Sequence, residues 1–240
     1  MKYLIVIGCA LFFGIFSTLC LRSVLEYGMS TGQIMDKALY LNDEEINQAM
    51  ERDNQERFST EDYIRYFSLV CITGIAVSVF GVWYYQQNLH YVVLTTAIIS
   101  ILWACSWYDK QYQLIPNRVL LYALILRVMI FAVQIAINPA EFKYFLLSSV
   151  IASMALMAAA MLCRLLSPNS VGYGDVKLLG VLGLYMGVNH VWSPIFMTLI
   201  LLFIAGVYLL LFKKADRKTE IPLAPFLLAG TIAAAFLTGA

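Results

Sequence analysis

Two aspartates lie in local sequences that could support chemistry, one near the middle of the chain and one in its second half. Asp109 follows an apolar run, and the tripeptide Ile115–Asn117 comes after five intervening residues. Asp175 ends the segment Gly172–Asp175, and a further apolar run begins directly after it. Each carboxylate therefore lies at the edge of an apolar segment, where an acid costs far less than at the centre of a bilayer.

A pair of neighbouring carboxylates can hydrolyse a peptide bond by acid–base chemistry. Two like charges a few ångströms apart do not both ionise readily, so the pair shares one proton. The ionised member takes a proton from the attacking water, and the protonated member donates to the scissile carbonyl oxygen. A lone aspartate at a helix end is more often a cap or a solvated acid. The hypothesis that Asp109 and Asp175 are catalytic therefore depends on the pair in its two contexts.

The elements that must position these acids are membrane helices. Of the 240 residues, 61% are hydrophobic and 13% are charged, with a mean hydropathy of +0.77. Soluble domains carry about a quarter charged residues. A net charge of +1 without a basic stripe gives no case for a nucleic-acid partner. Because backbone groups in lipid must be paired internally, we expect an all-α, polytopic membrane helix bundle.

About eight transmembrane helices are predicted, since a spanning helix needs about 20 mostly apolar residues. The first run follows Lys2, but it is long for a signal peptide and lacks a small-x-small cleavage site, so we expect a retained span. The sixth run is the shortest. The runs cover roughly residues 3–21, 66–86, 90–107, 118–137, 143–163, 176–190, 192–212 and 221–238.

One shift in composition divides the chain into three parts. Residues 1–21 are expected to form the first helix, residues 22–64 a polar, helix-prone cytoplasmic loop, and residues 65–240 the membrane-embedded core. Ten acidic residues lie between positions 22 and 62, and the segment is too small and polar to bury a core of its own. We expect this loop to attract a basic segment of a substrate.

The positive charges predict the orientation in the membrane. Thirteen of the sixteen lysines and arginines fall after the first, third, fifth and seventh spans, and only Lys2 and Lys143 fall on the opposite side. The segments rich in positive charge are therefore predicted to be cytoplasmic, with both termini outside. Both aspartates then lie at the cytoplasmic face.

Several other polar residues have more than one interpretation. Arg127 lies near the middle of the fourth span, where an unpaired cation is expensive. Its side chain could face the bundle and pair with a carboxylate or with backbone carbonyls, or it could snorkel from a tilted helix. Lys177 could bias the acids toward ionisation, although a positive-inside anchor is the more common role. His90 and His190 fall at the predicted outer edges and are expected to be interface residues.

The motifs together resemble those of the type IV prepilin peptidases. Asp109 with Ile115–Asn117 is similar to the first signature of that family, and Gly172–Leu179 is similar to the second. A third stretch, Ile221–Phe226, resembles the terminal I-P-x-x-P-F motif, and the three occur in the family's order over roughly residues 90–238. The residues that support the two aspartates in this resemblance are Ile115, Pro116, Asn117, Gly172, Gly174, Lys177, Pro222 and Pro225.

This resemblance implies a membrane aspartic endopeptidase of the G-x-G-D class, with Asp109 and Asp175 as the catalytic pair and no metal or cofactor for cleavage. It implies prepilin-like and pseudopilin substrates, whose short basic leader precedes an apolar helix, and therefore a prokaryotic cytoplasmic membrane. Full-length bacterial members also methylate the product and carry two C-x-x-C pairs in the loop after the first span. The corresponding loop here has no cysteine, which argues against S-adenosylmethionine as a cofactor.

Two other functions remain open at this stage. An intramembrane protease similar to presenilin or signal peptide peptidase would also pair a Tyr-Asp with a G-x-G-D, but polar residues around Asp109 favour a site at the membrane boundary. An ion-coupled transporter would use Asp109, Arg127 and Asp175 as ion or proton sites, but the sequence shows no internal repeat of the kind many transporters have. A peptidase-like scaffold without activity is a third, non-enzymatic possibility.

Overall fold

The computed structural model describes residues 2–31, 60–86, 88–112, 115–137, 139–166, 172–212 and 222–238. Within these ranges every regular element is an α-helix, which confirms the helix bundle expected from the sequence. The helices are α1 (Lys2–Thr31), α2 (Thr60–Trp83), α3 (Leu89–Tyr112), α4 (Asn117–Ile137), α5 (Pro139–Leu166), α6 (Tyr173–His190), α7 (Trp192–Phe212) and α8 (Leu223–Leu237).

Six of these helices, α1 to α5 and α7, are long and apolar enough to cross a bilayer. Their outer surfaces expose large apolar side chains that would be unfavourable in water, such as Leu4, Met129 and Phe203. The chain is therefore a multi-pass membrane protein. Helices α6 and α8 are shorter, with 18 and 15 residues.

The two short helices pack against the interior of the bundle and contact the central helix α3. Helix α6 lies against α3, α4, α5 and α7, and α8 lies against α2, α3 and α7. Helix α3 itself touches α1, α2, α4, α6 and α8, and 67% of its spanning window is buried. A residue at the end of α3 is therefore surrounded by the ends of several other helices.

The first helix is longer than the sequence pattern predicts. The apolar run ends at Leu21, but α1 continues to Thr31, and α2 begins at Thr60 rather than near residue 66. Helical hydrogen bonds form within the segment itself, so a helix can continue beyond the apolar residues that cross the bilayer. Both ends of the predicted 22–64 loop thus belong to flanking helices. Residues 32–59, with their acidic runs, lie outside the described residues.

Glycines allow two pairs of helices to pack at very short distance. A β-carbon on Gly183 of α6 would lie 2.6 Å from the backbone nitrogen of Ser153 in α5. A β-carbon on Gly230 of α8 would lie 2.7 Å from the backbone nitrogen of Thr198 in α7. Small residues are the usual means by which membrane helices approach closely. These two crossings fix the positions of α6 and α8, whose first turns form part of the site described next.

Candidate active site

Asp109 lies three residues before the end of α3, and only 6% of it is exposed. Its Oδ2 accepts a hydrogen bond of 2.8 Å from the backbone N–H of Ala224. Ala224 is the second residue of α8, so this N–H is one of the donors that a helix start leaves without an internal partner. The amino end of α8 thus supplies both a donor and a favourable dipole to the Asp109 carboxylate.

Asp175 lies in the first turn of α6, where its carboxylate folds back on the preceding residue. Its Oδ2 accepts a hydrogen bond of 3.1 Å from the backbone N–H of Gly172, which has extended geometry (φ −70°, ψ 151°) just before the helix. The carbonyl of Gly172 accepts the first helical hydrogen bond, from the N–H of Val176. Asp175 is partly exposed, so it is more accessible than Asp109.

The two carboxylates lie at the same end of the bundle. Helix α3 ends there and α6 begins there, and the two helices are in contact. Burial raises the pKa of the Asp175 carboxyl, and the charge of Asp109 raises it further by a smaller amount. The structure therefore brings together the two acids that the sequence singles out, although 65 residues separate them in the chain.

Side chains from the first and second motifs contact each other directly. Lys177 Nζ donates a hydrogen bond of 2.9 Å to Asn117 Oδ1. A β-carbon added to Gly174 would lie 3.0 Å from Cβ of Ile115, so the absence of a side chain allows this close approach. The segment between α3 and α4 is thereby held against the start of α6, directly beside Asp175.

The prolines of the motifs lie at helix starts. Pro116 precedes α4, and its carbonyl accepts hydrogen bonds from the N–H groups of Val119 and Leu120. Pro222 immediately precedes α8 in extended geometry (φ −62°, ψ 124°), and Pro225 lies in the first turn of that helix. In a first turn, the missing N–H of proline removes no helical hydrogen bond. These prolines define where α4 and α8 begin. The start of α8 in turn determines the position of the Ala224 N–H.

Sequence reasoning did not identify the roles of Ala224 and Arg164. Ala224 lies inside the third motif, so its region was already singled out. Its role could not be predicted, because the donor is a backbone N–H, which every residue except proline has. Arg164, near the end of α5, places its guanidinium 3.6 Å from the centre of the Tyr173 ring. This cation–π contact joins the ends of two helices at the residue between Gly172 and Gly174. Nothing in the local sequence of Arg164 indicates that contact.

Of the other polar residues considered in the sequence, Arg127 lies away from this end of the bundle and Lys177 lies within it. Arg127 is 2% exposed; its Nε donates to the carbonyl of Leu184 at 2.9 Å, and Nη2 donates to Ser149 Oγ at 3.0 Å. Of the two interpretations of Arg127, the one in which it faces the bundle and bonds a backbone carbonyl is thus correct. Lys177 is exposed and bonds Asn117.

No metal site accompanies the two acids within the ranges that the structure describes: no group of three or more His, Cys, Asp or Glu side chains there could hold an ion. What the arrangement offers is a buried acid with a fixed hydrogen-bond donor, and a second, more accessible acid beside it. Such a pair can hold one proton and exchange it with a bound water and a carbonyl group.

Part of the chain is similar to one known protein family. The model of the type IV leader peptidase family matches residues 96–211. This region contains both aspartates and the first two motifs, whereas the third motif lies beyond its end.

Three curated relatives carry the name prepilin leader peptidase/N-methyltransferase. The protein from Pseudomonas putida is 29% identical over 171 residues, which are 70% of this chain and 57% of the relative. That from Bacillus subtilis is 28% identical over 57% of this chain and 52% of the relative. That from Stutzerimonas stutzeri is 31% identical over 57% of this chain and 48% of the relative. The chain thus spans about half the length of these relatives, and no solved structure matches it.

Proposed function

Because the model of the type IV leader peptidase family matches residues 96–211, we propose that this chain is a membrane aspartic endopeptidase with Asp109 and Asp175 as its catalytic pair. The observation that carries the proposal is the convergence of three separate motifs on one end of the bundle. Asp109 accepts a hydrogen bond from the backbone N–H of Ala224 in the third motif. Lys177 of the second motif donates a hydrogen bond to Asn117 of the first. Motifs that served unrelated structural roles would not be expected to contact one another at one end of the bundle.

The geometry supports a mechanism in which the two acids share one proton and take different roles. A water between the two carboxylates gives a proton to the ionised acid as it attacks the peptide carbonyl, and the protonated acid donates to the carbonyl oxygen. A proton then passes to the leaving amine. The Ala224 N–H favours negative charge on Asp109, because a donor at a helix start stabilises a carboxylate. The two acids exchange protons as a unit, so each needs the other.

The proposed substrates are prepilin-like and pseudopilin proteins, in which a short basic leader precedes an apolar helix. The apolar helix would lie in the bilayer beside the bundle, and the leader would reach the two acids at the boundary. The distribution of lysine and arginine supports a cytoplasmic position for this end, with both termini outside. A prokaryotic cytoplasmic membrane follows from this class of substrate.

We assign the peptidase to residues 65–240 and expect cleavage to need no cofactor. The curated relatives are also named N-methyltransferases. The 22–64 loop contains no cysteine, so it cannot supply the four thiolates of a zinc site of the Cys₄ type. We therefore expect a cleaved product with a free, unmethylated amino terminus, and no use of S-adenosylmethionine by this chain acting alone.

Co-expression with a prepilin-like substrate tests the proposed function. We expect a truncated product whose new amino terminus, read by mass spectrometry, lies between the basic leader and the apolar helix. Asp109→Asn and Asp175→Asn should each abolish the product. Glu141→Gln, the corresponding change at an acid in the first turn of α5, should leave it. An uncleaved substrate in the presence of the correctly inserted wild-type chain would contradict the proposal.

A further inference from the structure

The turn that carries Asp175 contains few side chains that could hold it in place. Gly172 and Gly174 have none, and the Asp175 carboxylate bonds the Gly172 N–H within the same turn. Tyr173 lies between the two glycines and is 60% exposed. Because glycine adopts many backbone conformations, a turn with two glycines depends on contacts from other segments for a fixed geometry. Contacts of Tyr173 therefore bear directly on where the Asp175 carboxylate lies.

Contacts from two other segments of the chain reach this turn. The segment between α3 and α4 contributes Ile115, which lies close to Gly174. Helix α5 contributes Arg164, whose guanidinium carbon lies 3.6 Å from the centre of the Tyr173 ring. Ile115 belongs to the first motif, whereas Arg164 lies outside all three motifs. The role of the Arg164 contact is therefore not covered by the proposed function.

The packing of α5 against α6 brings Arg164 to Tyr173. The two helices run antiparallel and cross closely at two glycines of α6. At one of them, a β-carbon on Gly180 would lie 2.7 Å from Sδ of Met157 in α5. From this contact, seven residues forward in α5 lead to Arg164, and seven residues backward in α6 lead to Tyr173. Seven residues are about two helical turns, so both side chains return to the facing sides of the helices. The Arg164–Tyr173 contact thus continues the α5–α6 interface.

Arg164 has the chemistry and the position to hold an aromatic ring. It lies in the last turn of α5, where a cation is favourable for the helix dipole. The following Leu165 and Leu166 are exposed, whereas Arg164 is partly buried, so its side chain lies against the protein. A planar guanidinium stacks on an aromatic face and keeps its charge at any physiological pH. The ring is therefore held by a group that is itself fixed to α5.

We propose that Arg164 is a positioning residue for peptide cleavage. Through the Tyr173 ring it fixes the Gly172–Asp175 turn to the end of α5. It thereby keeps the Asp175 carboxylate at the separation from Asp109 at which the two acids share a proton and attack the peptide bond. This inference rests on the proposed function, because it concerns the same two acids.

Steady-state cleavage of a prepilin-like substrate by the purified full-length chain tests this role. Arg164→Met removes the cation but keeps a long side chain, and Tyr173→Leu removes the ring without a change of charge. Each should lower kcat by about twofold to thirtyfold, the range that corresponds to the strength of cation–π contacts, and should leave KM unchanged. Tyr173→Phe keeps the ring face and should retain the wild-type kcat. Arg164→Lys keeps the charge without the planar group and should restore part of it.

A double variant and a matched control separate the contact from a general effect of charge. The variant with both Arg164→Met and Tyr173→Leu should be no slower than the slower single variant, because both changes remove one contact. Arg65→Met makes the same substitution at an exposed arginine near the start of α2, at the same end of the bundle, where Arg65 pairs with Glu61. This control should keep the wild-type kcat.

A wild-type kcat in Arg164→Met would overturn the inference and leave the proposed function intact, since the wild-type chain would still cleave. Losses that multiply in the double variant would overturn it as well, and so would a raised KM at constant kcat, which would mean that Arg164 acts on substrate binding. If Arg164→Met does not fold, the two Tyr173 variants decide: equal kcat values in Tyr173→Phe and Tyr173→Leu would contradict a role for the ring. Absence of cleavage by the wild-type chain would instead contradict the proposed function itself.

Discussion

At the scale of single residues, the site depends on contacts between motifs rather than on the two acids alone. The buried Asp109 has a fixed backbone donor from α8, and the more accessible Asp175 is held by the N–H directly before α6. Ile115 against Gly174 and Asn117 with Lys177 fix the α3–α4 segment to α6. Small displacements here change the separation of the two carboxylates, on which a shared proton depends.

The contact at Gly174 predicts a loss of activity on adding one methyl group. In Gly174→Ala the new β-carbon would lie 3.0 Å from Cβ of Ile115, so the segments must move apart by a few tenths of an ångström. We expect cleavage to slow by about tenfold or more, since misplaced catalytic groups carry penalties of that size. Gly206→Ala in α7, where the added carbon meets nothing within 4 Å, is the matched control. Equal activity in both variants would rule out a positioning role for Gly174.

The Lys177–Asn117 hydrogen bond predicts non-additive effects. Lys177→Met and Asn117→Ala should each reduce cleavage, and the double variant should be no worse than the more impaired single variant, because both changes remove the same interaction. The measurement is the initial cleavage rate of the four proteins in one membrane preparation. Rates that simply multiply would show that the two side chains act independently.

At the scale of elements, the site is formed by the ends of helices that other contacts hold in place. Helix α3 is central and carries Asp109, while the short helices α6 and α8 begin beside it. Each short helix has one very close crossing, α6 with α5 at Gly183 and α8 with α7 at Gly230. The crossings determine where the first turns of α6 and α8 lie relative to the end of α3.

The α5–α6 crossing predicts a large stability effect from Gly183→Ala. Its β-carbon would meet the backbone of Ser153 and Ala152 at 2.6 to 2.7 Å, and backbone atoms cannot turn away as a side chain can. We expect the free energy of unfolding to fall by about 1–3 kcal/mol, the usual penalty of overpacking, seen as a lower melting temperature. Gly8→Ala in α1, with nothing within 4 Å, should leave it unchanged. A Gly183→Ala protein as stable as wild type would contradict the crossing.

The elements themselves could be predicted from the length and composition of the apolar runs, because lipid demands that each spanning segment satisfy its own backbone. The ends of the helices could not be predicted in this way. Helix α1 continues past its apolar run to Thr31, and α2 begins at Thr60, because a helix can extend beyond the segment that lies in lipid. The location of the two acids at the same end of the bundle was predictable from the alternation of the spans, whereas their catalytic pairing stays a prediction. The Ala224 donor and the Arg164–Tyr173 contact were not, and neither was the choice between the two interpretations of Arg127, because each depends on how separate helices are arranged in space.

At the scale of the whole molecule, the proposed function requires one orientation in the membrane. In a variant whose native cysteines are replaced by serine or alanine, a cysteine at Lys143 should react with an impermeant thiol reagent in intact cells. A cysteine at Arg118 should react only after the membrane is opened. Arg118 lies at the start of α4, whereas Lys143 lies near the start of α5, which follows the other end of α4. Both positions are exposed on the protein. Labelling of the Arg118 position from outside would place the two acids on the wrong side for a cytoplasmic leader.

The central claim is that Asp109 and Asp175 act as one catalytic pair, and the most direct test compares single and double substitutions in purified protein. The measurement is the first-order cleavage rate of a prepilin-like substrate by wild type, Asp109→Asn, Asp175→Asn and the double variant, all folded to the same melting behaviour. Because groups that act as a unit give non-additive losses, each single variant should fall to the same background rate as the double variant. If either single variant retained a substantial fraction of wild-type activity, or if the losses multiplied, the two carboxylates would not be sharing one proton and the account would be wrong.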